Sequence, residues 1–241
     1  MADESRIMTL PAIALRGVSV YPGMSLNFDV ERPMSIAALN AAIDTDRMIF
    51  LTAQREVELD APHEKDLYRI GTICRLGQIL RTSGSSNVRA IVDGVERARL
   101  LRLTAETPCF WANVQMLPDL PCSAAELGTV ALVRRCHELM AAYANLSGSV
   151  SSGIMLKLAN KTDPAFVADF IAQNIYFPPE DKQALLEERD PARRLKLLSG
   201  FLEREIEIMG IEQSIQETAS ERMAKSQKDY YLREQLKAIR E

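Results

Sequence analysis

Two histidines, His63 and His137, and four cysteines, Cys74, Cys109, Cys122 and Cys136, are the residues of this 241-residue chain with the chemistry to bind a metal or attack a substrate. Their spacing assembles neither. There is no CxxC pair, and His137-Glu138 is followed by Leu-Met-Ala-Ala, so no second histidine arrives one turn later to complete a zinc pair. No GxSxG occurs, and two histidines give no spacing from which a serine triad can be argued. GSVSSG (Gly148–Gly153) has the glycine spacing of a phosphate loop but not its lysine, and reads as a flexible connection between helices. The paired acids Glu187-Glu188 and Glu205/Glu207 fall on charged helices, where they make a solvated face. The expectation is a non-catalytic module with no cofactor or metal of its own, His137 on a helix surface and His63 in a loop.

Binding chemistry is better represented. Tyr21-Pro22-Gly23-Met24 and Arg32-Pro33-Met34 set aromatic, thioether and basic groups in loops near the N-terminus. Tyr21, Pro22, Met24, Arg32 and Met34 are therefore the candidate substrate or partner contacts. Core packing competes for Tyr21 and Met24. Met34, ahead of a helix, is the stronger candidate, because an unbranched thioether adapts to varied partners. Trp111 reads as core.

These residues need elements to hold them. Residues 8–117 read as six or so strands of five to eight residues with one early helix, Ser35–Ile43, capped by Ser35. Ser83–Asn87 reads as a hairpin turn, and Asp93-Gly94 as a second turn or a bulge. The expected fold is α+β: a twisted sheet closing toward a partial barrel over residues 1–117, a linker over 118–122 (around Pro-Asp-Leu-Pro), and a helical lobe over 123–189. Ser123-Ala124-Ala125-Glu126 reads as a capping box opening a helix to about Asn145. Asp163-Pro164 and Pro179-Glu180 open two more.

Residues 190–241 read as one long helix with Asp190 as N-cap and Pro191 in its first turn, about 75 Å long if unbroken. Leu195, Leu198, Leu202, Ile206 and Met209 form a core stripe, with Phe201, Ile208 and Ile215 beside it. Residues 216–229 are polar, and an apolar pattern then returns. Met223, Tyr230, Tyr231, Leu232 and Leu236 are the candidate contacts of this connector. The pattern stops at Glu241 without a C-cap glycine, which reads as a chain cut within a helix.

Composition bounds the function. A net charge of −4 and a pI near 5.4 offer no electrostatic case for nucleic acid or an anionic membrane surface. The N-terminus is acidic and lacks an apolar signal segment, and no run approaches the roughly twenty apolar residues of a membrane span. Scattered cysteines fit a reducing compartment. A soluble, cytoplasmic protein is expected.

Three stretches resemble the bacterial ATP-dependent Lon protease family: LPAIALRGVSVYPGM (Leu10–Met24), DLYRIGTICRLGQIL with VRAIVDGVERARLL (Asp66–Leu101), and KSQKDYYLREQLKAIRE (Lys225–Glu241). Ala14 and Gly17 depart from it, standing where the family usually has proline and Asp or Asn. The resemblance covers nearly the whole chain and implies the N-terminal region of such a protease: a PUA-like β lobe, a helical lobe and a long helix leading to an ATPase module. It further implies unfolded or damaged proteins as clients, a homo-hexameric parent with ATP, Mg and a Ser–Lys dyad, and no catalytic residue in this part. Two alternatives stand beside it. A free-standing Lon-domain receptor is disfavoured by the lack of CxxC and the single tryptophan. An RNA-binding PUA-like module is disfavoured by the acidic balance.

Overall fold

The computed structural model describes residues 6–240 except 82–87; at Arg81 and along 229–240 it describes the backbone only. The expected turn at Ser83–Asn87 lies outside the described residues. In chain order the elements are β1 (Ile7–Leu15), β2 (Ser25–Val30), α1 (Pro33–Ile43), β3 (Met48–Ala53), a 3-10 turn (Glu64–Asp66), β4 (Ile70–Arg81), β5 (Val88–Ala105) and β6 (Phe110–Met116). The helices α2 (Leu127–Ser147), α3 (Ser152–Ala159), α4 (Pro164–Asn174), α5 (Pro179–Glu187) and α6 (Pro191–Arg240) follow.

The sheet order is β2-β5-β4-β3-β1-β6, and β6 returns to pair with β5. Closure works because β5 is long enough to serve two partners: Val88–Asp93 pairs with β2, and Ala98–Ala105 with β6. β1 runs parallel to β3, and the other pairings are antiparallel. Both faces of β1 are covered, which is why Leu10–Leu15 is a continuous apolar run. Leu10, Ala12 and Ala14 face the cluster around Phe50, Phe110 and Val114; Ile13 and Leu15 face a second cluster built on α1. The α+β reading with a sheet closing toward a barrel and a long last helix therefore holds.

The strands are longer than expected, 12 residues for β4 and 18 for β5. Asp93-Gly94 makes no hairpin. Ile73 pairs with Glu96 and Cys74 with Gly94, so Val95 is the extra residue of a bulge. Glycine is required there by close approach: its N–H donates to Met24 O at 2.8 Å, and a Cβ would lie 2.2 Å from Tyr21 O.

Several helix starts differ from the expected ones. α1 begins at Pro33, with its fixed φ in the first turn, and Ser35 is buried inside the helix rather than capping it. Ser123–Glu126 forms one turn, and α2 starts only at Leu127 without a side-chain cap. Leu120 N–H donates to Arg189 O at 3.0 Å, so the approach to α2 is tied to the α5–α6 corner and the local capping signal loses. α3 takes the last two residues of the expected Gly148–Gly153 loop, with Ser151 as its N-cap accepting from Ile154 N–H. Asp163 and Asp190 cap as expected: Asp163 takes Phe166 N–H at 2.8 Å, and Asp190 takes Ala192 N–H at 2.9 Å.

α6 runs unbroken through Gly200 and Gly210 for 50 residues. Leu195, Leu198 and Leu202 are fully buried against α2 and α4, and Ile206 and Met209 partly so. The core stripe ends there. Ile208 and Ile215, expected at the lobe's core, are 42% and 64% exposed, because α2 ends at Ser147 and leaves nothing for them to pack on.

Candidate functional site

Two of the five N-terminal candidates are not available to a partner. Tyr21 is 0% exposed; its ring joins the core of the helical lobe and its hydroxyl donates to Lys182 O at 2.7 Å. Burial, followed by the nearby Asp169 carboxylate, raises its phenol and keeps that donor protonated. Met24 is buried in the same cluster. Both join the lobes, a packing fact that a loop-like sequence does not announce. Pro22, between them, stays half-buried.

Arg32 and Met34 stand together at the start of α1. Arg32 donates from Nη1 to Gln54 Oε1 at 3.0 Å and from Nη2 to Leu59 O at 3.0 Å. Gln54 in turn donates to Glu56 O at 2.6 Å. These bonds hold the 55–62 loop opposite the first turn of α1, so Arg32 is a brace. The braced loop encloses a cavity of ≈ 280 Å³, floored by Ala12, Ala14 and Phe110 and walled by Met34 and Pro62. A smaller hollow of ≈ 190 Å³ lies beside it, with Ala14, Arg32 and Ser35 shared between the two. Sequence reasoning missed Ala12, Ala14 and Phe110; two small residues beside an aromatic one carry no local signal.

Behind this surface, four charges tie the lobes: Arg97, Asp169 and Arg194 are buried, and Asp119 is about a quarter exposed at the edge. Asp169 on α4 accepts from Arg97 of β5 at 2.6 Å and from Arg194 of α6 at 3.1 Å, both on Oδ1. Asp119, between β6 and α2, accepts from Arg97 at 3.3 Å and makes a close ion pair with Arg194. The remaining donors go to backbone: Arg97 Nε to Leu186 O at 3.0 Å and Arg194 Nε to Glu188 O at 2.8 Å. Two cations and two anions balance, three of them cut off from water and Asp119 at the solvent edge.

No group of three or more metal-ligating side chains occurs among the described residues. Burial raises the Cys74 thiol and pushes Cys136 up to about 12, so both are unreactive packing groups. His137 lies at the surface with Nε2 3.0 Å from Lys161 O, and His63 pairs with Glu106. On the connector, Met223 is 65% exposed; Tyr230, Tyr231, Leu232 and Leu236 lie on the helix, with side chains outside the described ones. No described helix is long and apolar enough to cross a membrane.

Comparison with known proteins gives this surface a context. The profile of the ATP-dependent protease La (LON) substrate-binding domain matches residues 9–204. Lon protease of Clostridioides difficile (strain 630) is 41% identical over 233 residues, 95% of this chain and 30% of its own length. Lon protease of Escherichia coli (strain K12) is 34% identical over 237 residues, 98% of this chain and again 30% of its own length. The chain thus spans under a third of these relatives. The solved N-terminal domain of Mycobacterium avium complex Lon protease superposes with a TM-score of 0.67 at 22% identity, covering 81% of this chain and 98% of that one. A Lon N-terminal domain protein from Xanthomonas campestris gives 0.54 at 17% identity. At those identities the structures support the fold, and the profile match across both lobes decides the rest: this chain belongs to the ATP-dependent protease La (LON) substrate-binding domain family.

Proposed function

We propose that this chain recognises unfolded or damaged polypeptides on behalf of a cytoplasmic, ATP- and Mg-dependent Ser–Lys protease of the Lon type. The supporting observation is the family profile over residues 9–204, which takes in the β lobe, the linker and the root of α6. On this reading the client meets the surface around Pro22, Arg32 and Met34, and α6 connects that surface to the machinery that unfolds and cuts. Hexamer assembly is part of the same proposal. Its support is the unpartnered face of α6, where Ile208, Ile211 and Ile215 are exposed. Charge adds to it: residues 203–221 carry six acidic and one basic residue, and residues 222–240 carry six basic and two acidic. A helix so polarised favours neighbours that set opposite ends side by side.

The test is client capture. Met34→Asp is expected to weaken binding of a permanently unfolded protein about tenfold while the thermal midpoint stays within a few degrees, since Met34 is only half-buried. Unchanged affinity would remove Met34 from the site.

A further inference from the structure

The cavity beside Met34 has a chemistry of its own. Its floor is apolar and nearly closed to water: Ala12, Ala14 and Phe110 are buried, and Pro62 is buried on the facing loop. The two alanines make the space, since larger side chains on that face of β1 would fill it. At ≈ 280 Å³ the cavity is roomier than the roughly 150 Å³ that suffices for a benzene-sized guest.

The charges at its edge are already engaged. Arg32 is committed to Gln54 and Leu59, and Asp60 forms an ion pair with Arg16 at the rim. A charged side chain set against the alanine and phenylalanine floor would leave water for a surface with no hydrogen-bonding side chain, at a desolvation cost that the floor does not offset. The guest that matches is neutral, apolar and about the size of one aromatic or long aliphatic side chain. Met34, with its flexible thioether, can close over rings and chains of different shape.

We infer that this cavity is a single-residue specificity pocket, which takes one Phe-, Leu- or Met-like side chain of an extended client and rejects charged or small residues at that position. The inference rests on the proposed reading of the chain as a client-binding module. It adds the floor residues Ala12, Ala14 and Phe110 as determinants, Arg32 as the positioning residue that keeps the pocket open, and Ala61 at the mouth.

The experiment uses this chain and two fluorescent, otherwise polar peptides that differ in one central residue, Phe or Ser. The Phe peptide is expected to bind about tenfold more tightly, the worth of burying one ring. Ala61→Trp, a change at an exposed position, should plug the mouth and bring the two peptides within about twofold; Ala61→Ser should preserve the preference. Methyl NMR supplies a second readout, in which Ala12, Ala14 and Met34 signals move with the Phe peptide and not with the Ser peptide. A Phe preference that survives Ala61→Trp with those methyls unmoved would overturn the pocket. Capture of a permanently unfolded protein without any Phe preference would overturn the pocket alone. No binding of either peptide or of the unfolded protein would overturn the client reading, and the pocket with it.

Discussion

Glu64 illustrates how one carboxylate can close a loop. It accepts Leu103 N–H at 2.7 Å and Arg69 Nη1 at 2.8 Å, joining the 3-10 turn to β5 and to the start of β4. The Leu103 N–H holds its carboxyl below the usual range; burial opposes that, and Arg69 adds to the lowering. A depressed acid contributes stability that is present above the ordinary carboxylate range and is lost as pH falls through its lowered pKa. Glu64→Gln is therefore expected to cost about 1 kcal/mol near neutrality and little at roughly pH 2–3. Urea unfolding at both pH values checks this; an equal loss at each would mean that shape, not charge, is what Glu64 supplies. Residues of this kind were only partly legible in the sequence. Met34 reads as a loop residue ahead of a helix and instead lies in the first turn of α1, because Pro33 opens that helix two residues before Ser35. Tyr21 and Met24 were misleading, because what buries them is a helical lobe more than a hundred residues away in the chain. Gly94 sat between the two cases: Asp-Gly signalled a break in β5, but its cause is the backbone of the Tyr21–Met24 loop pressed against it.

Among the elements, helices were legible where the start is chemically local. Asp163 and Asp190 cap as their sequence suggests, and Pro164, Pro179 and Pro191 open helices where a missing N–H does no harm. α3 was hidden by Ser151-Ser152-Gly153, whose composition reads as loop although Ser151 is a sound N-cap for the Ile154, Met155, Leu158 stripe. The capping box at Ser123 failed for the converse reason, that tertiary ties on residues 118–122 outweigh a bond of about 1 kcal/mol. α6 tests the independence of its outer part from the lobes. Residues 210–228 are exposed throughout, so Ala219→Pro should cost about 3 kcal/mol locally and lower the helical circular dichroism signal. The thermal midpoint of the lobes should not move. A fall in that midpoint would show that the outer helix packs back on them.

At the scale of the molecule, the charge quartet joins Tyr21 and Met24 in making two lobes one body. Its bonded pairs are separated by 22 to 75 positions in sequence, which is why no local pattern betrayed them. Composition shifts at Pro118–Pro121 did reveal a break between strand-rich and helix-rich halves, but not that Asp119 within it is a keystone. Arg97→Ala would leave Arg194 as the only cation between two carboxylates, one of them buried, an expected loss of about 3–5 kcal/mol by chemical denaturation. Arg97→Lys should recover only part of it, because one ammonium cannot reach Leu186 O, Asp119 and Asp169 with a planar fork's geometry. Full recovery by lysine would reduce the site to simple charge balance. The same quartet sits at the root of α6, with Arg194 in its first turn. From Leu202, the last fully buried of the residues whose side chains are described, the helix continues for about 57 Å to Arg240. With its fulcrum fixed by four charges, a tilt of about five degrees at the root would sweep the tip through about 5 Å. The protein thus holds a lever whose short arm lies among the residues that join the lobes, so that sub-ångström adjustments there become displacements as large as a helical turn at the other end.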